Sequence, residues 1–286
     1  MAIEGYFLGC GVWNNPEWVG GLFSSGSRPS GHLREYASVF NAVEGNSTFY
    51  GTPSGNSLNR WRSDTTDRFR FCFKFPRLIS HERRLSDAQA HTRAFLLTLS
   101  GLGDRIGPLF LQLPPSFGPK ELPQLDRFLA HLPDTFSYAV EVRNPEFYGP
   151  SGSDLNSILI ERGVDRVILD NRALVRSISP GGASLVSDAP SGLMSPPSVS
   201  PGDRPFIRFV GAKDASTNLP LLSEWSRIVS GWILEGKAPH VFIHTSDDRN
   251  SPNLARIFHE LVSSRAYVGC MPEWPGEVGV KQLTLF

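Results

Sequence analysis

The polar residues of this sequence are not scattered; they arrive where short apolar runs stop. The stretch 41–50, NAVEGNSTFY, enters with Ala42 and Val43 and then delivers Glu44, Asn46, Thr48 and Tyr50. A turn needs only Gly and Asn, and a surface needs only Lys and Glu, so hydrogen-bonding groups crowded behind a core-type run read as one wall of a pocket. Other runs end on Lys74 (with His81 following), Gln112, Glu141 with Arg143, Asp170, Arg208 and His244, and Trp13 follows the first run. Two chemistries suit the set. Glu44, Glu141 and Asp170, helped by His244 and His81, are ligand types for one or two divalent cations such as Mg, Mn or Zn, which could activate water against a phosphodiester. Lys74, Arg77, Arg143 and Arg208 would then hold phosphate oxygens. Without a metal, a carboxylate pair could act as general acid and base on a sugar. Catalytic roles fall on Glu44, Lys74, His81, Glu141, Arg143 and Asp170. Substrate contacts fall on Trp13, Asn46, Thr48, Tyr50, Gln112, Arg208 and His244. Taken singly, each charge is explained as well by pairing with a neighbour, His81 as a satisfied loop histidine and Trp13 as a packing group. Taken together, so many buried charges cost too much to be accidental.

These groups need a frame that brings strand ends together. Eight runs rich in β-branched or aromatic residues occupy 6–9, 39–44, 70–75, 109–113, 137–142, 166–169, 205–209 and 240–244. Helical patterns lie between them at 54–62, 86–99, 121–132, 153–162 and 221–235, and beyond the last at 253–262; Ser86 is placed to cap the second. Near-continuous apolar strands alternating with helices imply a parallel sheet covered on both faces, and eight such units fit a (β/α)₈ barrel of the TIM type. No G-x-G-x-x-G follows the first strand, which disfavours a doubly wound dinucleotide fold. The expected organisation is one α/β domain over 1–265, a Ser/Pro/Gly-rich loop insertion over 171–204, and a flexible tail over 266–286.

Composition narrows the function classes. Lys and Arg number 28, as do Asp and Glu, so there is no global basic field to draw the protein onto nucleic acid or anionic lipid. No apolar run reaches the length of a membrane span, and no basic leader precedes the first strand. Three widely spaced cysteines, Cys10, Cys72 and Cys270, suit a reducing cytoplasm and form no Cys-x-x-Cys zinc pair.

The stretches GCGVWNNPEW, YASVFNAVEGNSTFY, FRFCFKFPRLISHERRL, GPLFLQLPPSF and VEVRNPEFY resemble the YecE-like family, catalogued as a domain of unknown function, over roughly 7–262. The resemblance implies a TIM-type barrel with a polar pocket that includes Glu44, Asn46, Thr48, Tyr50, Lys74, His81, Gln112, Glu141, Arg143 and Asp170. This chain departs from the family pattern at Ile243-His244-Thr245, at Asn144-Pro145-Glu146, and in the length of the insertion after Asp170. The last five residues, Gln282-Leu283-Thr284-Leu285-Phe286, resemble the pentapeptide by which bacterial proteins bind the sliding clamp. Gln282, Leu283, Leu285 and Phe286 would make that contact, tethering the barrel near DNA. The reading that follows is a DNA-associated, metal-dependent phosphodiesterase, nuclease or repair hydrolase with the sliding clamp as partner and nucleic acid as substrate. The alternatives are a sugar or sugar-phosphate isomerase or hydrolase, and a non-catalytic small-ligand module.

Overall fold

The computed structural model describes residues 5–177 and 200–278. Each expected run overlaps a strand, with ends shifted by up to three residues: β1 Phe7–Cys10, β2 Ala42–Gly45, β3 Arg70–Phe73, β4 Leu109–Gln112, β5 Tyr138–Glu141, β6 Asp165–Asp170, β7 Phe206–Gly211 and β8 His240–Thr245. Strands β1-β8-β7-β6-β5-β4 form a curled parallel sheet, and β2-β3 form a separate parallel pair. The fold is mixed α/β.

Hydrogen bonds cross both gaps between the two sheets. At β3/β4, Gly107 N–H donates to the Phe71 carbonyl and Phe75 N–H to that of Phe110, each at 2.9 Å. At β1/β2 a side chain replaces the ladder. Cys10 N–H donates to the Tyr36 hydroxyl at 2.6 Å, and that hydroxyl donates to the Ala42 carbonyl at 2.9 Å. Gly9 has to be glycine here, because a Cβ would stand 1.9 Å from the Ala42 oxygen. Asn41 completes the seam, accepting from Leu8 N–H at 2.8 Å and donating to the Tyr6 carbonyl at 2.7 Å.

Tyr36 belongs to α1, His32–Val39, a helix absent from the sequence reading. Its signal was present: Leu33, Tyr36, Ala37 and Phe40 stand at helical spacing. The other helices of the sequence reading hold with shifted ends: α2 Gly55–Asp64, α3 Gln89–Leu99, α4 Leu122–Ala130 and α5 Ser151–Glu161. Ser86 does not cap α3: the backbone turns on both sides of it, with positive φ at Arg84, Leu85 and Asp87, and the helix begins only at Gln89. Its hydroxyl instead accepts from Gln124. A short α6, Arg172–Ser177, opens the expected insertion; the remainder of that loop, 178–199, lies outside the described residues. Helix α7, Ala215–Leu234, begins six residues before the apolar pattern of 221–235, where Asp214 accepts from Ser216 N–H at 3.1 Å as an N-cap. Helix α8 is Ser251–Ser263.

The expected tail does not begin free. Trp274 is buried, with the Arg256 guanidinium 3.4 Å from its ring centroid, and Arg256 also pairs with Glu277 at 3.0 and 3.1 Å. These contacts strap the segment through α9, Pro275–Val278, onto α8. The clamp-like pentapeptide 282–286 lies outside the described residues. Among the described residues no helix is long and apolar enough to cross a membrane.

Every strand sends one side chain to a common inner layer: Phe7, Ala42, Cys72, Phe110, Ala139, Val167, Phe206 and Phe242 pack together. The helices cover the outer faces with a larger core that includes Phe71, Phe73, Phe75, Leu111, Val140 and Ile168. Burying one such Phe or Leu contributes about 1.5–3 kcal/mol.

Candidate functional site

Strand side chains alternate faces with a period of two, so the next inward layer toward the strand C-termini is fixed by counting two residues on from the apolar one. Ala42 leads to Glu44, Cys72 to Lys74, Phe110 to Gln112, Ala139 to Glu141, Phe206 to Arg208 and Phe242 to His244. A polar layer therefore sits directly on an apolar floor, and the Arg208 guanidinium carbon stands 5.4 Å over the Phe110 ring.

Arg208 organises the layer. Its Nη2 and Nε donate to the two oxygens of Glu44 at 2.7 and 2.8 Å, and its Nη1 donates to Glu141 Oε2 at 2.7 Å. Asn46 Nδ2 reaches Glu44 Oε1 at 2.7 Å, and His244 Nε2 lies 2.9 Å from Glu44 Oε2. Arg143 Nε donates to the remaining Glu141 oxygen. Both carboxylates are fully buried, and all four of their oxygens accept from named donors. Burial alone would raise the Glu44 carboxyl, but Arg208 and His244 outweigh it and hold the group well below the usual carboxylate range. Burial opposes ionisation of Glu141 too, and Arg143, Arg208 and Lys74 together bring it below its ordinary value. Such carboxylates stay ionised at neutral pH and are poor proton donors. They hold cations in place.

Lys74 is placed differently. Its Nζ donates to Gln112 Oε1 at 3.0 Å and sits 3.8 Å from the centroid of the Phe49 ring. Among the described residues no carboxylate lies within 4.0 Å of it. Arg143 Nη2 shares the Gln112 oxygen at 3.2 Å. Burial lowers the Lys74 ammonium to about 8, with Arg208 and Arg143 adding to the fall and Glu141 and Glu44 opposing it.

The remaining expected residues lie at varying distances from this centre. Thr48 is buried but serves the backbone, its hydroxyl bonding the carbonyls of Gly45 at 3.0 Å and Lys74 at 2.7 Å. His81 stands against the Phe49 ring edge and beside Ser80. Tyr50 is 83% exposed, with its ring edge on Phe49. Trp13 packs edge-on against Trp61 and Phe71, as the packing alternative had it. Asp170 is not brought to the centre. It stands three residues after the inward Val167, hence on the opposite face of β6, where Arg172 and the Trp225 indole N–H of α7 hold it at 2.7 Å each.

The metal candidates consequently do not converge. Glu44 and Glu141 share Arg208, which already supplies the positive charge between them, and Asp170 faces the helices. Among the described residues no three His, Cys, Asp or Glu side chains are grouped to hold an ion. Two contributors were missed at the sequence level. Phe49 was passed over inside NSTFY, although an aromatic between two predicted pocket residues was the signal. Gly11 makes room for His244, whose ring a Cβ at position 11 would meet at 2.1 Å, and its carbonyl accepts from Asn46 at 3.2 Å.

With this geometry in view, a family model described as "Protein of unknown function DUF72" matches residues 7–276. The chain is also 39% identical over 274 residues to UPF0759 protein YecE of Escherichia coli K12, covering 94% of this chain and 97% of that protein. The chain belongs to the DUF72 family. Two solved DUF72 proteins share its fold at 19% identity. One, from Enterococcus faecalis V583, has a TM-score of 0.69 and covers 90% of this chain and 95% of its own. The other, from Thermotoga maritima MSB8, has a TM-score of 0.67 and covers 91% and 100%. The YecE-like resemblance read from the sequence is thereby established, and DUF72 membership spans the whole polar layer from Gly11 to His244.

Proposed function

We propose that this DUF72 chain is an enzyme acting on a small anionic, oxygen-rich metabolite of the sugar-phosphate type, by proton transfer at a site that needs no metal. The frame is a closed (β/α)₈ barrel, supported by one inner-layer residue from each strand and by the hydrogen bonds across both seams. Three free cysteines, two of them buried, fit a cytoplasmic setting. The observation that carries the proposal is the charge distribution. Arg208, Arg143 and Lys74 face two carboxylates, so the described layer keeps a surplus positive charge, and Lys74 is the member that lacks a carboxylate partner. A substrate phosphate or carboxylate would supply that partner at the strand ends. Glu44 and Glu141 position Arg208 and Arg143, and Lys74, lowered to about 8, moves protons.

The test is a ¹H NMR screen of pentose, hexose and triose phosphates and their unphosphorylated counterparts, with wild type, Lys74→Met and Arg143→Gln. Turnover or saturation transfer confined to phosphorylated compounds and lost in both variants is the expected outcome. Equal response to the uncharged sugars would sink the proposal.

A second reading, a clamp-recruited phosphodiesterase, is supported by the Gln282-Leu283-Thr284-Leu285-Phe286 sequence. It predicts that a labelled peptide of these residues binds the bacterial sliding clamp and loses binding when Leu285 and Phe286 become Ala. It also predicts Mg²⁺- or Mn²⁺-dependent cleavage of labelled DNA. Absence of either would leave the metabolite reading alone.

A further inference from the structure

Lys74 differs from a lysine that merely binds an anion. It touches the face of Phe49 and the Gln112 amide oxygen, with the charges of Glu141, Arg208, Glu44 and Arg143 around it, and among the described residues no carboxylate comes within 4.0 Å. Among the described residues its three N–H groups meet a single acceptor, Gln112 Oε1. A lysine desolvated against an aromatic ring and set beside other cations is the environment that turns an ammonium into a nucleophilic amine. Among the described residues it is also the one buried lysine: Lys120 and Lys213 are exposed and Lys237 is partly so. Accordingly, we infer that Lys74 forms an imine with an aldehyde or ketone whose phosphate or carboxylate is held by the neighbouring cationic groups.

This deepens the metabolite reading and rests on it, narrowing the substrate class to carbonyl compounds. The step is balanced without any co-reactant. The Lys74 ammonium first gives one proton to solvent. Neutral Nζ attacks the carbonyl carbon and passes a second proton to the carbonyl oxygen to give a carbinolamine, and the proton returned from solvent lets that oxygen leave as water as the C=N bond forms. One proton stays on nitrogen. The protonated imine draws electron density from the adjacent carbon and makes its C–H acidic, which is the property an isomerase or a carbon–carbon lyase needs. The protonated imine keeps the positive charge of the ammonium it replaces. Because Glu44 and Glu141 are already paired with Arg208 and Arg143, offsetting that charge requires the anionic group of the substrate to enter with the carbonyl. An aldehyde or ketone lacking it should be a poor partner.

The experiment is borohydride trapping on the full-length protein near pH 8, with dihydroxyacetone phosphate and pyruvate as probes and glycerol 3-phosphate, which has no carbonyl, as control. Peptide mass mapping then locates the adduct. The expected result is a stable secondary amine on the Lys74 peptide with at least one carbonyl probe, none with glycerol 3-phosphate, and background labelling in Lys74→Arg. The wild-type map answers the question even if that variant folds poorly. Adducts spread equally over Lys120, Lys213 and Lys237 would overturn the inference. If saturation-transfer NMR shows both probes bound but neither is trapped, imine formation fails while the anion site stands. If neither probe binds, both fail together.

Discussion

Arg208 is the residue on which the charge balance of the site depends. Its guanidinium neutralises parts of two fully buried carboxylates, so Arg208→Met leaves Glu44 and Glu141 under-compensated and should cost about 3–5 kcal/mol in urea denaturation at neutral pH. Both carboxyls titrate lower in the folded chain than in the unfolded one. The stability they confer is therefore present above their unfolded value of 4.5 and is lost as pH falls below it. Urea midpoints of wild type and Arg208→Met should accordingly converge on acidification, and parallel curves would contradict the assignment. Lys74 carries the opposite sign. Its folded ammonium titrates at about 8 against 10.5 unfolded, so holding it charged costs stability below 8 and that cost disappears as pH rises toward 10.5. Lys74→Met should gain stability at neutral pH, up to about 3 kcal/mol before its lost contacts are subtracted, and the gain should vanish between 8 and 10.5. A gain that persists at high pH would mean the desolvation account is wrong.

At the scale of the element, the β1/β2 seam depends on one hydroxyl. Tyr36→Phe keeps the ring packing and removes the group that accepts from Cys10 N–H and donates to the Ala42 carbonyl. Leaving both buried groups unpaired should cost about 1–3 kcal/mol and speed amide exchange at Cys10 most of all. Unchanged exchange there would show the seam closing by other means. The same scale explains what was legible in the sequence. The eight strands were, because each is a short apolar run, and so were Glu44, Lys74, Gln112, Glu141, Arg208 and His244, because each ends such a run on the inward face. Asp170 was misplaced because β6, DRVILD, is buried on both faces, so its sequence carries no alternation from which parity could be read. Trp225, which holds Asp170, comes from 55 residues away and leaves no local mark. Thr48 and Tyr50, expected as substrate contacts, lie in and just after a 3₁₀ turn at Asn46–Phe49 that breaks the two-residue period and leaves Thr48 on backbone carbonyls and Tyr50 in solvent.

Over the whole molecule, the end of the sheet away from the candidate site holds its own acid-sensitive element. His240 is buried, stacked on Phe7 at 4.4 Å, and burial holds it down at about 3 against an ordinary 6.5. Because the unfolded chain takes up that proton first, stability should fall as pH drops from 6.5 toward 3, before most of the carboxylate contribution is lost. His240→Leu should flatten the melting temperature between pH 6.5 and 4.5, leaving the smaller slopes of His32 and His259, which are also lowered. An unaltered profile would assign the acid sensitivity elsewhere. The Arg208 bridge has a further consequence, in time rather than in space. Its partners Glu44 and Glu141 precede it by 164 and 67 residues, so both leave the ribosome before the cation that lets them be buried. At about 5–20 residues per second that interval is several seconds even for the nearer one. A nascent chain that stops short of β7 should therefore keep Glu44 and Glu141 unburied on its first six strands, and the emergence of β7 from the ribosome becomes the earliest moment at which both carboxylates can be buried.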